Sequence, residues 1–287
     1  MPWGLINSSI WYNRAIWESG GYEVPETYDD LVALSEQMVG DGLTPWCVAV
    51  ESSVATGWML GDWIQDIVMN THGQDVFNEW ANGELPFSDP RIKTAFEEAG
   101  RILLNQDFVY GGKDRILSTP WEQQSTPMFG DDPGCVLSHI PSFGIGSFPE
   151  AYRENVDDYV GTFLFPTNNP DMPRATVTNG GFLGILNDTP QARALVEFVA
   201  SPSGADAFLS QSGFLPVNAM ADSAILPNEL LATHAKWFRE TPQQGYNAVD
   251  RFPTAKQLAA WQGFSTWIAN DGEDLDEILA TIDAALE

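Results

Sequence analysis

The residues best suited to metal or nucleophilic chemistry are three histidines, His72, His139 and His234, and two cysteines, Cys47 and Cys135. Their spacing serves neither purpose. The histidines are far apart and share no ligand spacing with the cysteines, so no zinc or catalytic metal is implied. There is no Gly-rich phosphate loop and no nucleophile elbow, and no cofactor is expected. The carboxylates are the remaining catalytic candidates. A glycoside hydrolase would use two of them about 5–5.5 Å or 6.5–9.5 Å apart across the scissile bond. The pairs Glu97-Glu98, Asp131-Asp132 and Asp157-Asp158 sit on helix faces or loops and read as solvated charge. Non-covalent chemistry is better supplied. Eleven Trp in 287 residues is a high count. Part of that set is core, but an excess is also what a carbohydrate site needs: flat rings take the C–H face of a sugar while fixed polar groups take its hydroxyls.

Hydrophobic residues make up 44% and charged residues 18%, which is the balance of a globular chain of one to two domains. No stretch approaches the roughly 20 apolar residues of a membrane helix. With 13 Lys+Arg against 40 Asp+Glu the net charge is −27, a field that repels phosphate backbones and argues against nucleic-acid binding. The same acidity fits either a chain adapted to high salt or an ordinary acidic secreted protein. Two cysteines by themselves leave a bridge and two buried thiols equally open; a bridge would close a loop of about 88 residues.

These residues must be held by alternating strands and helices. The opening "INSSIWYN" (6–13) alternates as a strand, with none of the basic and apolar pattern of a signal peptide before Arg14. Thr27 and Asp30 form a capping box for a helix carrying Leu31, Leu34 and Met38. "WCVAV" (46–50) reads as a buried strand. Thr56-Gly57 opens a helix with Met59/Leu60, Trp63/Ile64 and Ile67/Val68 at helical spacing, and Asp89-Pro90 starts another. "GCVLSHI" (134–140), "YVGTFLFP" (159–166) and "GGFLGIL" (180–186) read as strands. Thr189-Pro190 starts a helix through Phe198, and "SPSGADAFLSQSG" a second with Gly213 as its stop. The final helix carries Leu275, Ile278, Leu279, Ile282 and Leu286 on one stripe. This is an α/β chain. The extended stretches 6–13, 159–167 and 213–219 suit crossings between two lobes.

In this order, "WYNRAIWESGGYEVPETYDDLVALSEQM", "TGWMLGDWIQDIV", "GQDVFNEWANGELPFSDP", "SPSGADAFLSQSGF" and "DLDEILATIDAAL" resemble the extracellular solute-binding proteins of carbohydrate ABC importers. The α-glucoside-binding type is the most similar subset, with maltose-binding protein more distant. The resemblance implies a periplasmic-binding-protein-like (type II) α/β fold with two lobes joined by crossing strands. It also implies that the first lobe is largely missing and that Met1 is an internal methionine. The expected division is 1–13 as the first crossing and remnant of lobe 1, 14–160 as lobe 2, 161–213 as a lobe 1 segment, and 214–287 as the C-terminal helices of lobe 2. The resemblance pairs Cys47 with Cys135, which an extracytoplasmic compartment permits. It implies a periplasmic or lipid-anchored cell-surface protein, monomeric, that traps a sugar and delivers it to membrane permease subunits.

Such a site needs rings, fixed donors and acceptors, and lobes that close. Trp58, in the first turn of the helix capped by Thr56, is expected at the cleft rim with Thr56 as a further ligand contact, and Trp63 in the core. Glu51 ends a strand where a carboxylate accepts sugar hydroxyls, and Asp62 is expected to brace the Trp58 turn. Ser142 and Phe143 match a ligand-facing pair in the family, although the basic pair often before it is here Ser138 and His139. Gly180 and Gly181 match a loop whose backbone approaches the ligand, with Phe182 where relatives often carry an acid. Asp250 and Trp261 fall at a polar contact and a late stacking ring, and Asn7 or Trp11 faces the sugar from the first crossing. The competing expectations are a glycoside hydrolase and, for this chain by itself, a non-binding fragment that exposes apolar surface.

Overall fold

The expected opening strand is two strands, β1 (Pro2–Asn7) and β2 (Ile10–Asn13), and they lie in different sheets. Ser8 and Ser9 carry the chain from one sheet to the other. The computed structural model describes residues 2–209, 213–217 and 226–285. Asn13 then caps α1 (Arg14–Gly20), and the Thr27–Asp30 capping box starts α2 (Tyr28–Gly40). There follow β3 (Trp46–Cys47), α3 (Trp58–Ala81), α4 (Pro90–Leu103, capped by Asp89), α5 (Gly112–Ser118), β4 (Leu137–His139), α6 (Glu150–Arg153) and α7 (Val156–Tyr159). The rest comprises β5 (Val160–Phe163), β6 (Ala175–Phe182), α8 (Pro190–Ala200, capped by Thr189), α9 (Pro202–Leu209), α10 (Glu229–Glu240), β7 (Gln243–Tyr246), α11 (Thr254–Ala269) and α12 (Leu275–Ala284).

The larger sheet has the order β3-β4-β2-β5, and the smaller β1-β6-β7. In the smaller sheet β1 is antiparallel to β6, with Leu5 opposite Gly180, while β6 and β7 run parallel. Leu215 bridges Leu5 on the outer side of β1. The division expected at 160/161 falls inside β5, which stays in the larger sheet beside β2; the chain crosses back between 164 and 174. Within the segment expected to be wholly second-lobe, β7 joins the smaller sheet, because its backbone completes the open edge of β6.

Several strands are shorter than their sequence suggests. β3 is two residues long, and the N–H groups of Ala49 and Val50 donate instead to Gln124 Oε1 and the Ile116 carbonyl. The strand expected over 180–186 ends at Phe182, beyond which Ile185 and Leu186 are exposed. Leu286, Asn218 and Ala219 lie outside the described residues, as does the stretch 210–212 before the expected stop at Gly213.

α3 runs through the centre. Met59, Leu60, Trp63, Ile64, Ile67 and Val68 are all buried, each contributing about 1.5–3 kcal/mol. That apolar surface offsets the desolvation of a polar stripe at four-residue steps, Asp62, Asp66 and Asn70, with Gln65 beside it. The stripe holds the connections between the two sheets. Asn70 Oδ1 accepts from the Ala175 N–H and its carbonyl from Thr167 Oγ1, while Gln65 Oε1 accepts from the Ala248 N–H at 2.6 Å. Cys47 and Cys135 are joined, with Cα atoms 5.5 Å apart, which ties the parallel pair β3 and β4. Among the described residues no helix is long and apolar enough to cross a membrane.

Candidate functional site

Beside Ser8, a small pocket of about 40 Å³ opens between the smaller sheet and the start of α3. Ile6, Ser8, Val177, Thr178 and Asn179 line one wall; Trp58, Asp62, Pro141 and Phe143 line the other, with Asn247 between. Larger grooves over α11 and α12 are more open and lie away from the crossings.

The start of α3 is made by Gly57, at φ 103°, where a Cβ would lie 2.3 Å from the Trp261 carbonyl oxygen. Thr56 does not cap it: its Oγ1 accepts from the Ser52 N–H and donates to the Ser53 carbonyl. This tight start brings Trp58 to the pocket, half-buried, with its ring 6.1 Å from Phe143 at 27° and 5.5 Å from Trp121 edge-on. The row continues from Phe143 to Phe214 at 6.2 Å and from Phe214 to Trp3 at 5.6 Å, both near-parallel. Rings therefore run from the start of α3 to the smaller sheet.

Polar groups oppose the rings. Asn247 Nδ2 donates to Asp62 Oδ1 at 3.3 Å, and Asn247 Oδ1 accepts from the Asp250 N–H. Asn179 Nδ2 donates to Asp250 Oδ2 at 2.5 Å. His139 Nε2 lies 2.8 Å from both Ser8 Oγ and Asp66 Oδ2. Burial, with the nearby carboxylates of Asp66 and Asp250, pushes the Asp62 carboxyl well above the usual range. Among the described residues no group of three His, Cys, Asp or Glu side chains is arranged to hold a metal.

Residues 1–206 match the family described as bacterial extracellular solute-binding protein. The chain belongs to that family. The chain is 30% identical over 279 residues to the osmoprotective compounds-binding protein GgtB of Synechocystis, covering 97% of this chain and 65% of GgtB. It is 34% identical over 212 residues to the alpha-glucosides-binding periplasmic protein AglE of Rhizobium meliloti, covering 73% of this chain and 46% of AglE. It thus spans less than two thirds of either relative. The solved structure of the bacterial solute receptor AcbH, described as having an exclusive preference for β-D-galactopyranose, superposes with a TM-score of 0.81 at 15% identity, over 98% of this chain and 70% of that one. The fold is the type II fold of sugar-binding periplasmic proteins. The named relatives are binding proteins.

Against this solute-binding fold, two residues expected at the site, Trp58 and Phe143, line the pocket. Others are placed elsewhere. Asn7 and Trp11 are fully buried in the crossing: Asn7 Oδ1 accepts from His234 Nδ1, and Trp11 Nε1 donates to the Ile140 carbonyl. Ser142 is buried, its hydroxyl donating to the Gly213 carbonyl. Gly180 and Gly181 admit protein instead, since a Cβ would meet the Gly4 carbonyl oxygen at 2.3 Å or Trp3 Nε1 at 1.9 Å. Glu51 lies next to Trp121, accepting the Trp121 N–H on its carbonyl and the Ser53 N–H on Oε1. Asp250 is exposed and reaches the pocket only through Asn179 and Asn247. Trp261 packs half-buried on the core from α11. Asp62 does not brace the Trp58 turn; it faces the pocket and accepts from Asn247. Ser8, Asp62, Thr178, Asn179 and Asn247 are the polar pocket residues that motif reasoning missed. The one sequence signal was the Asp62, Asp66, Asn70 spacing inside an apolar helix.

Proposed function

We propose that this chain is the sugar-capturing part of an ABC importer's binding protein, taking an α-glucoside or a related small sugar in the pocket beside Trp58. The observation that carries this reading is the pairing of the Trp58 and Phe143 rings with Ser8, Asp62, Asn179 and Asn247 across one small pocket. Rings and hydroxyl- or amide-bearing groups on opposing walls are what a polyhydroxylated ligand requires. The name of AglE, an alpha-glucosides-binding protein, points to the same ligand class. In this proposal β1, β6, α8 and α9 belong to one lobe and the larger sheet to the other, hinged at Ser8-Ser9 and the other connections. The exposed Leu186, Leu195 and Phe198 support it, as an apolar face that a further part of that lobe would cover. The proposed setting is extracytoplasmic, with a monomer presenting the closed form to permease subunits, and no reaction is catalysed. A hydrolase is disfavoured because, among the described pocket residues, Asp62 is the sole carboxylate.

Intrinsic tryptophan fluorescence tests this. Maltose, trehalose, sucrose and maltotriose would be titrated into this chain and, where its reading frame runs further upstream, into the longer product, with glycerol phosphate as control. A saturable change with a glucoside in either form supports the proposal. Silence in every form with a folded far-UV spectrum overturns it, and release of reducing sugar would replace it with the hydrolase.

A further inference from the structure

Asp62 stands out within the pocket, and the role assigned to it rests on the sugar-binding reading of that pocket. Its side chain is more than nine-tenths buried yet lines the pocket wall. One carboxyl oxygen, Oδ1, takes the Asn247 amide at 3.3 Å. The other, Oδ2, is buried and has no hydrogen-bond partner among the described residues. A buried polar atom left without a partner is costly, and one on a pocket wall can be completed by a ligand. Asp62 lines the same pocket in which Trp58 and Phe143 present their rings.

We propose that Asp62 is a specificity-determining residue of the site, donating a hydrogen bond from Oδ2 to an oxygen of an uncharged, polyhydroxylated solute stacked on Trp58. The two carboxyl oxygens divide the work. Oδ1 accepts from Asn247 and so needs no proton; Oδ2 faces the ligand and carries it. The surroundings favour this neutral form. Asp66 lies one turn further along α3, Asp250 approaches from the segment after β7, and His139 on β4 is engaged by Asp66 and Ser8. The other groups on the walls, including Trp58, Phe143, Ser8, Thr178, Asn179 and Asn247, carry no charge. No Lys or Arg among the described residues lines the pocket to hold Asp62 ionised. A carboxylate taken from water without a cation is far more costly than the acid, and two like charges behind it add to that cost. An anionic solute would meet the same field, so the site suits a neutral sugar or polyol over a sugar acid or phosphate.

The proposal makes the two obvious substitutions behave differently. Asp62→Asn keeps an acceptor for Asn247 and places an N–H₂ donor where Oδ2–H stood, but it cannot ionise. Asp62→Leu keeps the volume and removes both. Maltose, trehalose and sucrose would be titrated calorimetrically from pH 5 to 9 into wild type, Asp62→Asn and Asp62→Leu, with glucuronic acid as an anionic control. The expected result has three parts. Asp62→Asn binds within about threefold of wild type and shows no pH dependence of its own. Asp62→Leu loses at least tenfold, about 1.4 kcal/mol. Wild-type affinity falls as pH rises far enough for Asp62 to ionise, while glucuronic acid binds nowhere in the range. Equal affinity of wild type and a folded Asp62→Leu for the same sugar overturns the inference and leaves the sugar-binding reading intact. If Asp62→Leu fails to fold, Asp62→Ala takes its place, and affinity equal to that of wild type in a folded Asp62→Ala overturns it. A wild type that binds none of the sugars overturns both readings together.

Discussion

The His234 imidazole lies flat on Trp11, ring centroids 4.8 Å apart and planes 20° from parallel, with both side chains fully buried. Its Nδ1 donates to Asn7 Oδ1 at 2.6 Å, and its Nε2 is 3.3 Å from Ser9 Oγ. On the other side of the crossing, His139 meets Ser8 at 2.8 Å. Both serines of the first connection are therefore held by buried imidazoles, and the one on Trp11 has no carboxylate among its hydrogen-bond partners. Burial lowers the His234 pKa from 6.5 to about 3.

The sign of the resulting acid sensitivity follows from linkage. The unfolded chain protonates His234 near pH 6.5 whereas the folded chain resists until about pH 3, so protons favour the unfolded state between those values. The stability that neutral His234 preserves is complete above pH 6.5 and is lost as pH falls, by up to about 5 kcal/mol. Urea unfolding of wild type and His234→Gln at pH 7.5, 6 and 5 checks this. The expected outcome is that the stability gap between them narrows steadily on acidification. A gap that stays constant would mean that burial does not shift the His234 proton equilibrium, and a gap that widens would mean that His234 is charged in the fold.

The bridge between Cys47 and Cys135 joins strands that meet over only two residue pairs, Trp46 with Leu137 and Cys47 with Ser138. So short a ladder does little to hold an 88-residue separation closed. The chain-entropy estimate for that loop is about 4.6 kcal/mol. Reduction, or Cys47→Ala with Cys135→Ala, is expected to lower unfolding stability by roughly 2–5 kcal/mol, read from the urea midpoint at constant m-value. A midpoint that does not move would show that the β3–β4 pair is held by its packing.

The helices were legible in the sequence because their signals are local. Thr27 with Asp30, Asp89 before Pro90, and Thr189 before Pro190 each cap the helix expected of them. The six apolar residues of α3 marked a buried helix for the same reason. Strands and site were less legible, because both depend on partners distant in the chain. β7 has a polar sequence, Gln-Gln-Gly-Tyr, and is a strand only because β6 offers it an edge. Trp11 stands between Ile10 and Tyr12 and Trp58 between Gly57 and Met59, yet one is sealed under His234 and the other opens on the pocket. Nothing within a few residues of either distinguishes them. Asn179 and Asn247 reach the pocket through a connection spanning 68 positions of sequence, and no motif announces that.

Gly180 separates the two explanations of a glycine-rich strand. It faces Leu5 across the β1–β6 pair, and an added Cβ would press on the Gly4 carbonyl oxygen, which is backbone and cannot rotate away. Gly180→Ala is expected to cost about 1–3 kcal/mol of stability through forced displacement of β1. Its effect on sugar affinity should follow from that displacement alone. Thermal unfolding with calorimetric titration checks both: unchanged melting with weakened binding would restore the glycine as a ligand contact.

Trp58 and Trp261 test whether the pocket, rather than tryptophan content, carries recognition. Trp58 projects from the first turn of α3 into the pocket, half-exposed, with Phe143 and Trp121 supporting its ring. Trp261 packs on the core from α11 and does not line the pocket, although its carbonyl oxygen sits against Gly57 beneath Trp58. Truncating a ring that stacks on ligand in a desolvated pocket commonly costs about 2 kcal/mol or more of binding. Trp58→Ala is therefore expected to weaken sugar binding by at least tenfold, measured by calorimetry because the fluorescent reporter is lost, and to lower the melting temperature only slightly. Trp261→Ala is expected to do the reverse, lowering the melting temperature through lost packing and leaving affinity within about threefold. Should Trp261→Ala weaken binding as much as Trp58→Ala in a folded protein, the ligand must extend past the helix start toward α11, and the pocket beside Ser8 would be only one end of a longer site.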